Sequence, residues 1–148
     1  MITREPIYSA LFALWQNLPG VITWSRRLEH WSDVPPSKQP ALYQIQRHED
    51  PKTVRGIPTT WHLSVDLYIY VNSGLDPDAV PSLILNPILD AIETALAPDP
   101  ASGFQTLGGL VSHAWISGRI ETSEGALGAQ EVAIVPIEIM TAGGGYPQ

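Results

Sequence analysis

The side chains able to do chemistry are few and dispersed. Four histidines, His30, His48, His62 and His113, are scattered along the chain. None is paired at i, i+4 around a glutamate as a helical zinc site requires. The absence of cysteine removes the thiol nucleophile, the CxxC redox pair, the disulfide framework and the thiolate zinc site. There is no Gly-x-Ser-x-Gly elbow and no GxxxxGK[ST] phosphate loop, and Gly108-Gly109 lacks a third glycine at dinucleotide-binding spacing. Asp76 and Asp78, flanking Pro77, suit the start of a helix, and Asp99, between two prolines, reads as a turn aspartate. Asp66 is different, because it interrupts a β-rich run among His62, Tyr68 and Tyr70. A lone buried carboxylate is costly. Asp66 is therefore either solvated or paired, and the sharper of the two readings pairs it with an arginine across a subunit boundary. An enzymatic alternative, a small hydrolase using Asp66 with His62 or His113, requires two of these groups within hydrogen-bond reach in one pocket. A cellular ligand-binding module is a further alternative. No catalytic, cofactor or metal constellation emerges, so the residues point to an interaction or assembly protein, with no cofactor and no enzyme activity.

The cations carry the next signal. Arg26 and Arg27 end a β-rich segment that runs into Trp31 and Asp33, while Arg47, His48, Lys52 and Arg55 surround a second loop that also holds Glu49 and Asp50. A nucleic-acid surface interleaves cations with exposed aromatics and keeps acids away. The mixture here fits a protein contact instead. With 15 acidic against 8 basic side chains, the formal charge of −7 also argues against gripping phosphates. Arg26, Arg27, Trp31, Asp33, Arg47, His48, Lys52, Arg55 and Asp66 are accordingly the candidate interface residues.

These residues must be positioned by one domain, the default for 148 residues. An apolar fraction of 44% with 16% charged residues excludes a disordered chain. The opening residues carry charge where a signal peptide needs an apolar run, and no stretch approaches the roughly 18 apolar residues of a membrane span. The expectation is a soluble protein, cytosolic at synthesis. Ile7, Leu11, Leu14 and Leu18, broadened by Tyr8, Phe12 and Trp15, predict a helix over Thr3–Leu18, capped by Thr3 and stopped by Pro19-Gly20, with part of its wide stripe left uncovered. Strands are predicted over Val21–Arg27 and Ala41–Arg47, with a loop from Leu28 to Pro40 and a turn-rich stretch from His48 to Pro58. Over Thr59–Asn72, Trp61, Leu63, Val65, Leu67, Ile69 and Val71 alternate with polar residues, the period of a strand central to an antiparallel sheet. Asp76–Leu96 is helical, with Asn86-Pro87 expected to kink or restart it and Asn86 to cap the main piece. Leu110–Ile120 and Ala129–Met140 read as a hairpin turning at Ser123-Glu124-Gly125, with Pro136 at an edge or bulge. The order gives an α+β fold: a mainly antiparallel sheet of four to five strands with both helices on one face. It forms a single domain over 1–142 and a flexible tail over 143–148.

Several segments in this order and spacing resemble the tail terminator, or tail completion, proteins of long-tailed phages and gene transfer agents. They are REPIYSALFALW, SRRLEHWSDVPPSKQPALYQIQ, RGIPTTWHLSVDLYIYV, LNPILDAIETALAPDP, QTLGGLVSHAWISGRIETSEG and VAIVPIEI. The resemblance spans nearly the whole chain, and neck and head–tail joining proteins share the layout. It implies a non-enzymatic virion protein of the tail or neck, assembled in the host cytoplasm. Its copies would form a hexameric ring that ends tail-tube polymerisation, contacts the tail tube protein and the head connector, and lets DNA pass without specific binding.

Overall fold

The computed structural model describes residues 2–124 and 126–142; the expected tail over 143–148 and Gly125 of the expected turn lie outside them. The elements are α1 (Arg4–Trp15), β1 (Thr23–Ser25), β2 (Ala41–Lys52), β3 (Thr60–Asn72), α2 (Ser82–Ala95), β4 (His113–Ile116), β5 (Glu121–Thr122) and β6 (Gln130–Ala142). They form an α+β fold around one mixed, mostly antiparallel sheet in the order β1-β2-β3-β6-β4, with β5 also paired to β6.

The alternation of β3 places it at the centre. Leu63, Val65, Leu67, Ile69 and Val71 are buried on one face together with Ala133, Val135, Ile137 and Ile139 of β6. Both helices pack on that face through Ile7, Leu11 and Trp15 of α1 and Leu85, Ile88 and Ile92 of α2. The other face carries a smaller apolar cluster at one end, where the Leu28–Pro40 loop lays Val34 and Trp31 over Ala41, Tyr43 and Tyr70. Tyr70 Oη donates to the Glu29 carbonyl at 2.6 Å. A reciprocal pair of buried amides, Gln39 and Gln130, each donating to the other at 2.9 Å, ties the end of this loop to β6.

Helix α1 stops three residues before Leu18, whose N–H closes onto the Trp15 carbonyl at 3.1 Å. Thr3 occupies the N-cap position, but its hydroxyl makes no capping bond. Phe12 and Leu14, at the sides of the stripe, pack against the core margin and stay partly exposed. The side chain of Gln44 fastens this helix to β2. Trp15 Nε1–H donates to Gln44 Oε1 at 2.9 Å, and Gln44 Nε2 donates to the Tyr8 carbonyl at 3.0 Å.

Elsewhere the sequence reading needs correction. β1 is only three residues long and runs parallel to β2. β2 extends through His48–Lys52, which local composition assigned to a turn, because β3 supplies an antiparallel partner as far as Lys52↔Thr60. Asp76 and Asp78 form a turn before α2, with the Asp78 N–H donating to Asp76 Oδ1 at 2.9 Å. The helix begins at Ser82 and runs through Asn86-Pro87 without restarting. Pro87 forfeits one bond to the Leu83 carbonyl, but both residues lie on the exposed side of the helix, where water can take its place. Of the predicted Leu110–Ile120 strand only His113–Ile116 is strand, as β4, and pairing with β6 resumes beyond it at β5. The Ser117 N–H donates to the Pro136 carbonyl at 2.9 Å; N and O of one strand residue share an edge, so the missing N–H of Pro136 faces the break at Ser117–Ile120. Gly118, at φ +101°, lets the chain turn there against the proline ring.

Because Gln44 accepts the buried Trp15 indole N–H, Gln44→Leu strands that donor, while the Tyr8 carbonyl loses its second bond and keeps its place in the helical ladder. The expected result is a loss of about 1–3 kcal/mol, read as a lower urea midpoint with an unchanged m-value.

Candidate functional site

The candidate interface residues fall into three settings. Arg26 is engaged within the chain. Its guanidinium makes two bonds to the Glu5 carboxylate, at 2.6 and 3.0 Å, and a third to Gln46 Oε1 at 3.1 Å. The Arg26 hydrogen bond first, and then one from the Ser9 hydroxyl at 2.7 Å, hold the Glu5 carboxyl down at about 2. Alongside, Arg4 Nε and Tyr8 Oη both donate to Glu49, at 2.6 and 2.7 Å, and the Arg4 guanidinium lies 5.0 Å from the Trp61 ring centre. Burial works to raise the Glu49 carboxyl, but these two donors bring it below its usual range. The cluster locks the start of α1 to β2. Trp31 is half-buried on the smaller apolar cluster, while Arg27 and Asp33 are exposed and form no ion pair among the described residues.

The second setting is the open face of the sheet. Asp66 does have an arginine partner, and it belongs to the same chain: Arg47 Nη1 lies 3.0 Å from Asp66 Oδ2. Arg47 sits at the irregularity between Gln46 and His48 where the β2–β3 register shifts, and this extra residue aims it across the strand. The Asp66 side chain is only 17% exposed, so the pair answers the charge question without a neighbouring subunit. His62 Nδ1 meets Glu138 Oε1 at 3.1 Å, and His48 Nδ1 meets Asp50 Oδ2 at 3.1 Å. Arg47, His48, Ser64, Asp66, Ser117 and Glu138 line a shallow depression of about 250 Å³. The hydrolase constellation is not assembled. His62 and Asp66 are four residues apart on one strand, about 13 Å. His113 accepts the Gln105 N–H at 3.0 Å and stacks on Trp115 at 5.1 Å.

The third setting is the tip of the β2–β3 hairpin, which carries Lys52 and Arg55. Val54 and Ile57 close a β-turn through the Ile57 N–H and Val54 carbonyl at 3.1 Å, with Gly56 at φ +88° in the third position, a type II geometry. Thr53 and Thr59 join hydroxyls at 3.2 Å across its neck. The tip therefore has a defined shape, and it presents Val54 and Ile57 to solvent at 57% and 55% exposure.

Two features were missed in the sequence. Between the end of α2 and β4 runs a groove of about 380 Å³ lined by Glu93, Leu96, Pro98, Trp115, Ile116 and Ile120. Gly118, inside a segment that reads as one continuous strand, is the residue that could have signalled it. The other is an acid pair at the start of α2: the Ser82 hydroxyl contacts both Glu124 and Glu131, the latter at 3.1 Å to each oxygen. Glu131 is wholly buried. Burial first, and then the Glu124 charge, push its carboxyl up against the opposing effect of the Ser82 bond.

Among the described residues, no group of three His, Cys, Asp or Glu side chains could hold a metal ion, and no helix is long and apolar enough to cross a membrane. Compared with known proteins, the chain matches no protein-family model and no curated protein.

The raised carboxyl of Glu131 fixes a sign. The folded chain holds this proton to higher pH than the unfolded chain, so stability falls as pH rises from the ordinary glutamate range through the folded value. Glu131→Gln removes that penalty. Thermal melts should show the variant melting above the parent chain at pH 7.5, with the gap closing towards pH 4.

Proposed function

We propose that this chain is a tail terminator of a long-tailed phage or gene transfer agent. In this reading it is a non-enzymatic virion protein, and its copies close into a ring, hexameric by the family resemblance. The ring ends growth of the tail tube, meets the head connector and leaves a channel for DNA. The observation that carries the reading is that the sheet leaves margins open on both sides. β1 covers only Ala41–Tyr43 of β2, and β4 has β6 on one side and, on the other, only the Gln105 carbonyl, which accepts the Ala114 N–H. Exposed strand edges are usually blunted or covered, and two such margins on opposite sides suit head-to-tail association of copies into a closed ring.

The dimensions agree with a DNA conduit. A chain of this length has a radius of gyration of about 15 Å, hence an equivalent sphere of about 19 Å radius. Six such spheres in contact leave an opening about 38 Å wide before wedge-shaped packing narrows it. The negative formal charge of each copy disfavours adhesion to a passing phosphate backbone.

The test is reconstitution with the cognate tube protein. Added chain should arrest tube polymerisation and appear by negative-stain imaging as a ring on one end of each tube. Tubes that grow unchecked would overturn the reading, and binding to the capsid portal without arrest would move the chain to the neck.

A further inference from the structure

The charges of this chain are segregated across the sheet. Seven of the eight Lys and Arg residues lie within residues 1–55, and Arg119 is the only one beyond; ten of the fifteen acids lie in that later part. The early residues build α1, β1 and β2, whereas the later ones build α2 and the β6–β4 side. Internal pairing sharpens the contrast. Arg4, Arg26 and Arg47 are spent on Glu49, Glu5 and Asp66. Arg27, Lys38, Lys52 and Arg55 form no ion pair among the described residues, and neither do Asp90 and Glu93 of α2 or Asp99 after it.

Two shapes lie within these opposite fields. The hairpin tip is a knob of two exposed apolar side chains, Val54 and Ile57, flanked by Lys52 and Arg55. The groove beside α2 is an apolar hollow of about 380 Å³ with Glu93 on its wall, Asp90 one turn earlier and Asp99 just beyond Pro98. Its floor runs along the outer edge of β4. The Ser117 N–H faces Pro136, so in this register the backbone groups of Ala114 and Ile116 point outward. Ala114 N–H is taken by the Gln105 carbonyl at 2.9 Å; Ile116 N–H has no partner among the described residues. The tip of the same molecule cannot fill the groove, because β3 and β6 stand between β2 and β4.

We infer that the α2–β4 groove receives the β2–β3 hairpin tip of a second copy, Val54 and Ile57 entering the hollow while Lys52 and Arg55 face Glu93 and Asp90. The contact is heterologous, each copy offering a tip to one neighbour and a groove to the other, so it propagates around a ring. Opposite charges set the order of the pair and make association sensitive to salt. The inference rests on the reading of the chain as a self-assembling subunit and names the surface that joins the copies.

Sedimentation velocity on the full chain tests it with two charge-reversed variants, Lys52→Glu/Arg55→Glu at the tip and Asp90→Lys/Glu93→Lys at the groove. All of these residues are at or near the surface, and an unchanged far-UV spectrum confirms folding. The parent chain should self-associate at low salt and weaken by at least about tenfold between 0.05 and 0.5 M NaCl. Each variant alone should stay monomeric. An equimolar mixture of the two should recover assembly beyond the dimer, because the reversed tip of one variant complements the reversed groove of the other and the two unaltered surfaces still match. Parent-like assembly of the tip variant, or a mixture that stays monomeric, would overturn the inference. So would a parent chain that remains monomeric at low salt. Tube arrest by a chain whose association ignores both variants would keep the terminator reading and discard this interface. A tip variant that assembles normally yet no longer arrests tubes would assign the groove to the tube protein, overturning the inference as well.

Discussion

The architecture depends on a mismatch of lengths. Strands of 12 and 13 residues, as in β2, β3 and β6, span about 40 Å, whereas helices of 12 and 14 residues, as in α1 and α2, span about 18–21 Å. Two such helices cannot roof the whole sheet. Burial therefore concentrates where they lie, on Leu63 to Val71 of β3 and Ala133 to Ile139 of β6. The surplus strand length emerges as a hairpin exposed from Arg47 through Ile57, apart from the half-buried Glu49. The arm, its shaped tip and the open sheet margins all follow from this disproportion.

Polar side chains then fasten α1 to the sheet. Gln44 reaches from β2 to both the Trp15 indole and the Tyr8 backbone. At the rim, Glu49 gathers Arg4 and Tyr8, and Glu5 holds Arg26. The rim contacts use up charges that the sequence alone offers to a partner. Arg26 and Arg47 are structural in this sense, and the groups left over are the ones at the hairpin tip and in the loop after β1.

Where burial is periodic, the sequence was legible. The two-residue alternation of β3, the stripe of α1 and the packing of both helices on one face could all be read directly, because each reflects which side chains leave water. Stretches whose conformation comes from distant partners were not. His48-Glu49-Asp50-Pro51-Lys52 has the composition of a turn, yet it is strand because β3 lies beside it, and with solvent on both faces it shows no alternation to read. Asn86-Pro87 suggested a helix break, but a proline on the exposed flank leaves only one carbonyl for water to satisfy. The need of Asp66 for an arginine was legible, though not that Arg47 of the same chain supplies it, since the one-residue irregularity that aims Arg47 leaves no trace in composition. The groove beside α2 depends on where two segments separated by a long loop come to rest, which no local pattern encodes.

Pro136 and the interruption opposite it have a consequence for the chain's behaviour in bulk. Four residues of β4 are the longest continuous stretch that rim of the sheet can offer a visiting strand, because Gly118 bends the backbone away and the proline supplies no donor. A cross-β stack needs uninterrupted in-register segments of about six residues. The same interruption thereby denies fibril growth a template along this rim.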